Sequence, residues 1–178
     1  AAIKGGAVVI QYRDKNPVDA VYLATELLHL CHSCNVPLII NDDVELAAQI
    51  GADGVHLGRH DGDIAQAKQR LGADAIIGVS CYNDVSLAMA AAQQGANYVA
   101  FGRFFTSHSK PLAAPAEIGT LTAAKKILTL PIIAIGGILP ENGKILLDAG
   151  ADLLAVIGGI FDHHVESSTQ AYQALFNA

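Results

Sequence analysis

The sequence of 178 residues has no tryptophan, three cysteines and few charged side chains, which make up 16% of the chain. Eleven lysines and arginines stand against seventeen aspartates and glutamates, so the formal net charge is −6. General nucleic-acid binders and membrane-surface proteins need a basic face, and this deficit of positive charge argues against both classes. An anionic small-molecule ligand must therefore be held by a local cluster of donors.

Long hydrophobic runs are also missing. The longest runs, such as Pro131 to Ile135, have the length of a strand and are far too short to span a bilayer. No charged-then-apolar signal segment opens the chain. An odd and small set of cysteines does not suit a disulfide-stabilised secreted domain, so a reducing cytoplasm is the simpler expectation. With 52% hydrophobic residues, we expect a single domain over residues 1–178.

Short apolar runs alternate with segments in which apolar residues recur three and four positions apart. The segments, such as Asp19–His32 and Val85–Gln94, predict helices. The runs predict parallel strands that are buried on both faces. The predicted strands are Ala7–Gln11, Pro37–Asn41, Gly54–Leu57, Ile76–Ser80, Tyr98–Gly102, Pro131–Ile135 and Leu153–Ile157.

A Gly-Ala-Asp or Gly-Ala-Asn tripeptide stands between helix and strand four times, beginning at Gly51, Gly72, Gly95 and Gly150. Glycine accepts the left-handed conformation at a helix end, and the regular spacing favours a TIM (β/α)8 barrel over an open sheet. Such a barrel has eight strands, whereas seven are predicted. Ala1 is interpreted as the tail of a helix, so we expect the first β-α unit to be missing from the N-terminus, by truncation, disorder or omission.

Charged side chains cluster after the predicted strands, at the end where parallel barrels build their sites. Asp42 and Asp61 follow adjacent strands and form a candidate magnesium site, because Mg²⁺ often bridges one or two carboxylates to a polyphosphate. Arg13, Lys15 and Lys110 follow other strands and could surround such a ligand. Together these residues predict a site that stabilises a departing pyrophosphate.

Paired glycines after the last two strands indicate a second anion site. Gly136-Gly137 and Gly158-Gly159 leave room for a phosphate to approach the main chain, as in many TIM barrels. The alternative is that these glycines only permit tight turns between strand and helix.

The charged residues also have structural interpretations. Asp42 or Asp43 could cap the helix that begins near Val44. Arg13 and Lys15 could be solvated loop charges.

Two further features have no assigned chemistry. Cys31-His32-Ser33-Cys34 has the spacing of a redox or zinc motif, but it ends a predicted helix and no second ligand pair follows, which favours helix packing. Tyr12 could belong to the wall of the site or to the core.

Five strand-end motifs together resemble the thiamine-phosphate synthase family. They are Gln11–Lys15, Ile40–Ala47, Gly51–Gly58, Gly78–Ser80 and Ala134–Ile138. The resemblance runs in order from about Val9 to Ile160. It implies a TIM barrel enzyme that couples hydroxymethylpyrimidine diphosphate to hydroxyethylthiazole phosphate, forming thiamine phosphate and pyrophosphate.

Motif positions carry the family's site residues onto this chain. The residues that would contact the pyrimidine diphosphate or the leaving pyrophosphate are Gln11, Arg13, Lys15, Asn41, Ser80 and Lys110. Of these, Arg13, Lys15, Ser80 and Lys110 would act in catalysis. The thiazole-phosphate pocket would be formed by Gly137, Ile157 and Gly158. Asp42 and Asp61 would hold Mg²⁺, and Ser107 and Ser109 keep a hydroxyl where the family usually has threonine.

The resemblance implies a dissociative substitution, in which the cations draw off pyrophosphate and the thiazole nitrogen attacks the pyrimidine cation. No protein nucleophile or general base is required. The family also suggests a homo-oligomer.

The chain departs from the family pattern at several positions. Arg103 replaces a proline, Gly158 replaces a serine of the phosphate loop, and His60 replaces an acidic residue. Two related functions are alternatives: a thiazole tautomerase, which usually has a histidine where this chain has Tyr82, and a non-catalytic paralogue that binds thiazole phosphate or thiamine phosphate.

We predict that Lys110→Ala or Asp42→Ala sharply lowers turnover and leaves the fold intact, because Lys110 would stabilise the charge of the departing pyrophosphate directly and Asp42 would hold the Mg²⁺ that does so. The rate of thiamine phosphate formation tests this, with circular dichroism as the control for folding. An unchanged rate in either variant would refute the assignment.

Overall fold

The computed structural model describes residues 1–59, 61–106 and 114–177. The strands are β1 (Ile10–Tyr12), β2 (Leu38–Asn41), β3 (Gly54–Leu57), β4 (Ile76–Tyr82), β5 (Tyr98–Phe101), β6 (Ile132–Ile135) and β7 (Leu153–Ala155). The helices are α1 (Ala20–Ser33), α2 (Val44–Ile50), α3 (Ile64–Leu71), α4 (Val85–Gln93), α5 (Ile118–Lys125), α6 (Pro140–Asp148), α7 (Gly158–Phe161) and α8 (Val165–Ala174), and a short 3-10 helix (Leu175–Asn177) follows. The predicted alternation of strand and helix is confirmed.

The strands form a seven-stranded parallel sheet in which each pairs with the next in sequence, from β1 to β7. This order is typical of a barrel wall, whereas doubly wound sheets reverse their strand order. The α/β class is therefore confirmed. Within the part of the chain that the structure describes, β1 and β7 each pair on one side only, and the eighth strand stays a prediction.

Only β3 has the predicted bounds: β2, β5 and β6 each differ by one residue, β4 ends two residues later than predicted, and the first and last strands differ for the following local reasons. The first strand is Ile10–Tyr12 instead of Ala7–Gln11, because the residues before it follow the N-terminal turn and do not reach β2. The last strand ends at Ala155 because the Ile157 carbonyl accepts the amide of Phe161 at 2.9 Å and starts helix α7. Both shifts come from neighbouring backbone hydrogen bonds that an apolar run does not reveal.

The N-terminal residues have the hydrogen bonds of a helix end, as the interpretation of Ala1 as a helix tail requires: the amides of Gly6 and Ala7 donate to the carbonyls of Ile3 and Ala2 at 3.0 and 3.1 Å, and Gly6 has φ 104°. The amide of Gly5 donates to the carbonyl of Ala1 at 3.0 Å. Gly5 lies so close to α8 that a Cβ there would sit 2.6 Å from Cβ of Thr169. The outer layer of the fold therefore brings the start of the described chain against its last helix.

The Gly-Ala-Asp/Asn repeat has a structural role. The side-chain oxygens of Asp53, Asn97 and Asp152 accept hydrogen bonds from backbone amides at the start of β2, β4 and β6, at 2.7, 2.9 and 2.9 Å. Gly51, which opens the first repeat, ends α2 in the left-handed conformation with φ 69°. The repeat thus ties β2 to β3, β4 to β5 and β6 to β7 at their amino-terminal ends.

Aspartates begin four of the described helices. Asp43 caps α2, because its carboxylate accepts the amide of Leu46 at 2.8 Å. The other three capping residues are Asp19, Asp63 and Asp84. Of the two aspartates that could have capped α2, Asp43 does so, and Asp42 precedes it.

The hydrophobic core has two parts. The larger cluster packs β3 to β7 against α3 to α8 and includes Phe101 and Leu121, both fully buried. The smaller cluster packs β1 and β2 against α1 and α2 and includes Leu38 and Cys31. Cys31 is buried and Cys34 exposed, and both are free thiols, so helix packing accounts for Cys31.

No helix among residues 1–59, 61–106 and 114–177 has both the length and the apolar character needed to cross a membrane.

Tyr12 belongs to the core, where its ring packs against the smaller cluster. Its hydroxyl is buried and has no hydrogen-bond partner among the described residues. An unsatisfied buried hydroxyl is destabilising, so Tyr12→Phe should raise the free energy of unfolding by about 1 kcal/mol in urea denaturation. The control is Tyr98→Phe, which removes a hydroxyl that hydrogen-bonds His56 at 3.0 Å. It should lower stability by about 1 kcal/mol, and equal changes in the two variants would contradict this prediction.

Candidate functional site

Register brings polar residues of three strands and a glycine of a fourth into one row. Asn41 of β2 pairs with His56 of β3, His56 pairs with Gly78 of β4, and Gly78 pairs with Tyr98 of β5. Because the strands are parallel, the residues that follow this row all emerge at the same carboxyl edge of the sheet. The described strand ends therefore all open on one edge of the sheet.

His56 lies at the centre of a hydrogen-bonded chain across three strands. Its Nε2 is 2.8 Å from Oγ of Ser80, and its Nδ1 is 3.0 Å from Oη of Tyr98. The His56 side chain is buried, and its ring stacks on Tyr98 with 5.6 Å between centroids. Burial raises the pKa of the Tyr98 phenol, which therefore stays a neutral hydroxyl near pH 7. The hydrogen bond from His56 limits the position of the Ser80 hydroxyl.

Gly78 makes room for this chain, because a Cβ at this position would overlap the Tyr98 ring. The sequence assigned no role to His56 or Tyr98. The signal that could have found them is burial: each is a polar side chain in an otherwise apolar strand, where it needs a hydrogen-bond partner.

Asp42 and Asp61 meet above Gly58. The amide of Gly58 donates to Oδ2 of Asp61 at 2.8 Å. A Cβ on Gly58 would lie 2.5 Å from this oxygen and 3.8 Å from Oδ1 of Asp42, so both carboxylates face the same space. Asp42 takes a left-handed conformation, φ 66°, and its amide donates to the His56 carbonyl at 2.9 Å. The helix cap is therefore left to Asp43.

Arg59 and Tyr82 form a second contact at the same rim. The Arg59 guanidinium lies 4.6 Å from the centroid of the Tyr82 ring, and the Arg59 amide donates to the Tyr82 hydroxyl at 3.1 Å. Both line a cavity of about 230 Å³ together with Ser80. Arg59 had no predicted role, and an arginine in a loop is usually solvated.

The glycines after β6 are explained by packing. The amide of Phe105 donates to the Gly136 carbonyl at 3.0 Å, and a Cβ on Gly137 would lie 2.7 Å from the Phe105 carbonyl. The loop after β5 thus lies directly on the loop after β6. The close contact and the left-handed conformations of Gly136, φ 95°, and Gly137, φ 66°, both favour glycine at these positions.

Gly158 begins the short helix α7, with a carboxylate beside it. A Cβ on Gly158 would lie 2.7 Å from Oδ2 of Asp162. Ile157, the residue before the helix, is half exposed, at 50%. The loop after β7 is therefore open, and it has a negative side chain at its edge.

The remaining predicted residues differ in what the structure shows. Gln11, Arg13 and Lys15 lie at and beyond the end of β1, where Tyr12 pairs with Ile40 next to Asn41. Gln11 and Lys15 are exposed and Arg13 is half-buried. Residues that lie outside the described ones are His60, Ser107, His108, Ser109 and Lys110.

The donor sets limit the metals that this rim could hold. Among the described residues, no group of three or more histidine, cysteine, aspartate or glutamate side chains is placed to bind a metal ion. A site of the zinc type is thus absent from this part of the chain. The Asp42–Asp61 pair supplies two carboxylates, which suits a cation that takes its other ligands from water and substrate.

Comparison with known sequences agrees with the strand-end motifs. The sequence model of a family described as thiamine monophosphate synthase matches residues 1–160. The thiamine-phosphate synthase of Nitrosococcus oceani is 52% identical over 178 residues, covering 98% of this chain and 82% of its own. That of Chromobacterium violaceum is 54% identical over 164 residues, covering 91% of this chain and 79% of its own.

Comparison with solved structures gives the same fold. The thiamine phosphate pyrophosphorylase of Pyrococcus furiosus superimposes with a TM-score of 0.90 at 30% identity, covering 99% of this chain and 86% of that one. A 3-hexulose-6-phosphate synthase superimposes with a TM-score of 0.73 at 16% identity, covering 98% of this chain and 90% of that one, which shows a shared fold alone.

The close contact between Gly78 and Tyr98 gives a prediction about the site's interior. Gly78→Ala should lower the free energy of unfolding by about 1–3 kcal/mol, because the added methyl group overlaps the Tyr98 ring. Gly119→Ala is the matched control, since a Cβ at Gly119 meets nothing within 4 Å. Thermal and urea unfolding of both variants test this, and a Gly78→Ala protein as stable as the control would show that the ring is not held there.

Proposed function

Because the chain belongs to the thiamine monophosphate synthase family, we propose how its strand ends carry out that reaction. The enzyme joins hydroxymethylpyrimidine diphosphate to hydroxyethylthiazole phosphate and releases pyrophosphate. The observation that carries our assignment of roles is the meeting of Asp42 and Asp61 above Gly58, on the same rim as Ser80.

The diphosphate would bind over the ends of β1 to β4. Ser80 would donate its hydroxyl to a phosphate oxygen, and its hydrogen bond to the buried His56 supports this by limiting where the hydroxyl can lie. Arg13 and Lys15 would add positive charge from the end of β1, with Gln11 and Asn41 beside the pyrimidine. Lys110, flanked by Ser107 and Ser109, would bind the leaving group from the loop after β5.

The two carboxylates suit Mg²⁺ as the cofactor. Both are hard oxygen donors, and the Gly58 amide occupies one oxygen of Asp61 and orients the other. Mg²⁺ held by Asp42 and Asp61 would neutralise charge on the diphosphate. A cation held between them would explain why two negatively charged aspartates lie where an anion binds.

The thiazole phosphate would bind over the ends of β6 and β7, at Gly137, Ile157 and Gly158. Backbone amides are the donors available there, because the loops carry glycine and no basic side chain. The carboxylate of Asp162 beside Gly158 would have to turn away, which a side chain at an exposed position can do.

The reaction itself needs one bond broken and one formed. The bond between the pyrimidine methylene carbon and the diphosphate oxygen breaks, and its electron pair leaves with pyrophosphate. The thiazole nitrogen then donates its lone pair to that carbon and forms the new carbon–nitrogen bond. The protein supplies position and charge stabilisation and accepts no proton, so no general base is required.

The alternative functions are not favoured. The relatives that are about half identical over nearly the whole chain are synthases. Tyr82, at the position of the tautomerase histidine, hydrogen-bonds the Arg59 amide and lies under its guanidinium.

An eighth strand, a homo-oligomer and a cytoplasmic location are also proposals. An eighth strand between β1 and β7 would complete the TIM barrel, and the packing of Gly5 against α8 supports this, since the helix layer already closes at that point. A homo-oligomer and a cytoplasmic location follow from the family and the cysteine content.

The magnesium assignment can be tested by binding alone. In calorimetry, pyrophosphate should bind the unaltered chain only when Mg²⁺ is present. Asp61→Asn should weaken that binding at least about tenfold, the factor that corresponds to about 1.4 kcal/mol. The control is Asp74→Asn, an exposed aspartate before β4 at the opposite end of the strands, which should bind as the unaltered chain does. Pyrophosphate binding that is equally tight in EDTA would refute the magnesium site.

A further inference from the structure

The last helix reaches the phosphate loops through one side chain. Tyr172 of α8 is 5% exposed, and its hydroxyl donates to the carbonyl of Ile138 at 3.0 Å. Ile138 directly follows Gly136-Gly137 in the loop after β6. The same hydroxyl lies so close to Gly159, in the short helix α7 within the loop after β7, that a Cβ on Gly159 would overlap it. One oxygen atom therefore touches both loops.

We propose that Tyr172 is a positioning residue that sets the distance between these two loops and so shapes the thiazole-phosphate pocket. This inference rests on the proposed binding of the thiazole phosphate at Gly137, Ile157 and Gly158. It adds α8 to the elements that build the pocket, although α8 lies beyond residues 1–160, which the family's sequence pattern matches.

The contact is specific to a hydroxyl. A phenylalanine would fill the same apolar space but would leave the Ile138 carbonyl without this donor. Gly159 has no side chain where the hydroxyl lies, so the two residues fit each other. A Cβ on Gly159 would also approach the Ile138 carbonyl at 2.9 Å, which shows how closely the loops come together.

The hydroxyl can act as a donor at any physiological pH. Burial raises the pKa of Tyr172 to about 12, with a further contribution from the negative charge of Glu141. The phenol is therefore protonated throughout the range in which the enzyme would work, and the hydrogen bond to Ile138 does not depend on pH there.

Steady-state kinetics with each substrate varied in turn provides the test. Tyr172→Phe should raise the KM for hydroxyethylthiazole phosphate about fivefold, the effect of one lost hydrogen bond of ordinary strength. The KM for the pyrimidine diphosphate should stay unchanged, because that substrate binds at the other strands. The matched control is Tyr22→Phe, an exposed tyrosine of α1 at 60%, which should change neither KM. A role in stability alone would move both KM values equally or neither.

A double-mutant cycle separates the positioning role of Tyr172 from the location of the thiazole-phosphate pocket. Gly159→Ala should raise the KM for the thiazole phosphate strongly when Tyr172 is present, and much less in the Tyr172→Phe background, where the hydroxyl that the methyl group meets is gone. Unfolding curves of all four proteins check that each is folded. Should Gly159→Ala not fold alone, the single Tyr172→Phe variant still decides the proposal.

The outcomes distinguish two failures. If Gly159→Ala leaves the KM for the thiazole phosphate unchanged in both backgrounds, the pocket is elsewhere and the assigned binding site is wrong. If Gly159→Ala raises that KM but Tyr172→Phe has no effect and the two changes are additive, the pocket stands and the positioning role of Tyr172 is overturned.

Discussion

Parallel pairing in strict sequence order is the constraint on which the site depends. Each strand pairs with the next, so every strand leaves the sheet at the same edge, and residues far apart in sequence meet there. The row from Asn41 through His56 and Gly78 to Tyr98 shows how register fixes this. A shift of one residue in β4 would move Ser80 to the helix-facing side and separate it from His56.

The sequence was informative where local physics decides the outcome. Strands buried on both faces appear as continuous apolar runs, and the helices Asp19–His32 and Val85–Gln94 were placed within two residues of their observed bounds. Asp42 and Asp61 were paired because both follow adjacent strands. Both carboxylates lie near Gly58, and their role as a metal site stays a prediction.

The sequence was uninformative where partners are distant. The chain from Ser80 through His56 to Tyr98 joins residues up to 42 positions apart, and no local pattern links them. The choice between Asp42 and Asp43 as the helix cap needed the backbone conformation of Asp42, φ 66°. The glycines after β6 were predicted to bind a phosphate or to permit a tight turn, and their contact with the Phe105 loop is a third reason for glycine that depends on a distant partner.

The side chains of Asp53, Asn97 and Asp152 hydrogen-bond the starts of β2, β4 and β6, at the opposite end of the sheet from the proposed substrate site. Much of what holds the strands together is thus independent of what the strand ends bind. Substrate preference could drift during evolution, through changes in the exposed rim, without loosening the scaffold. A protein engineer who wished to give this fold a new substrate would leave these hydrogen bonds intact and vary the residues at the carboxyl ends of the strands.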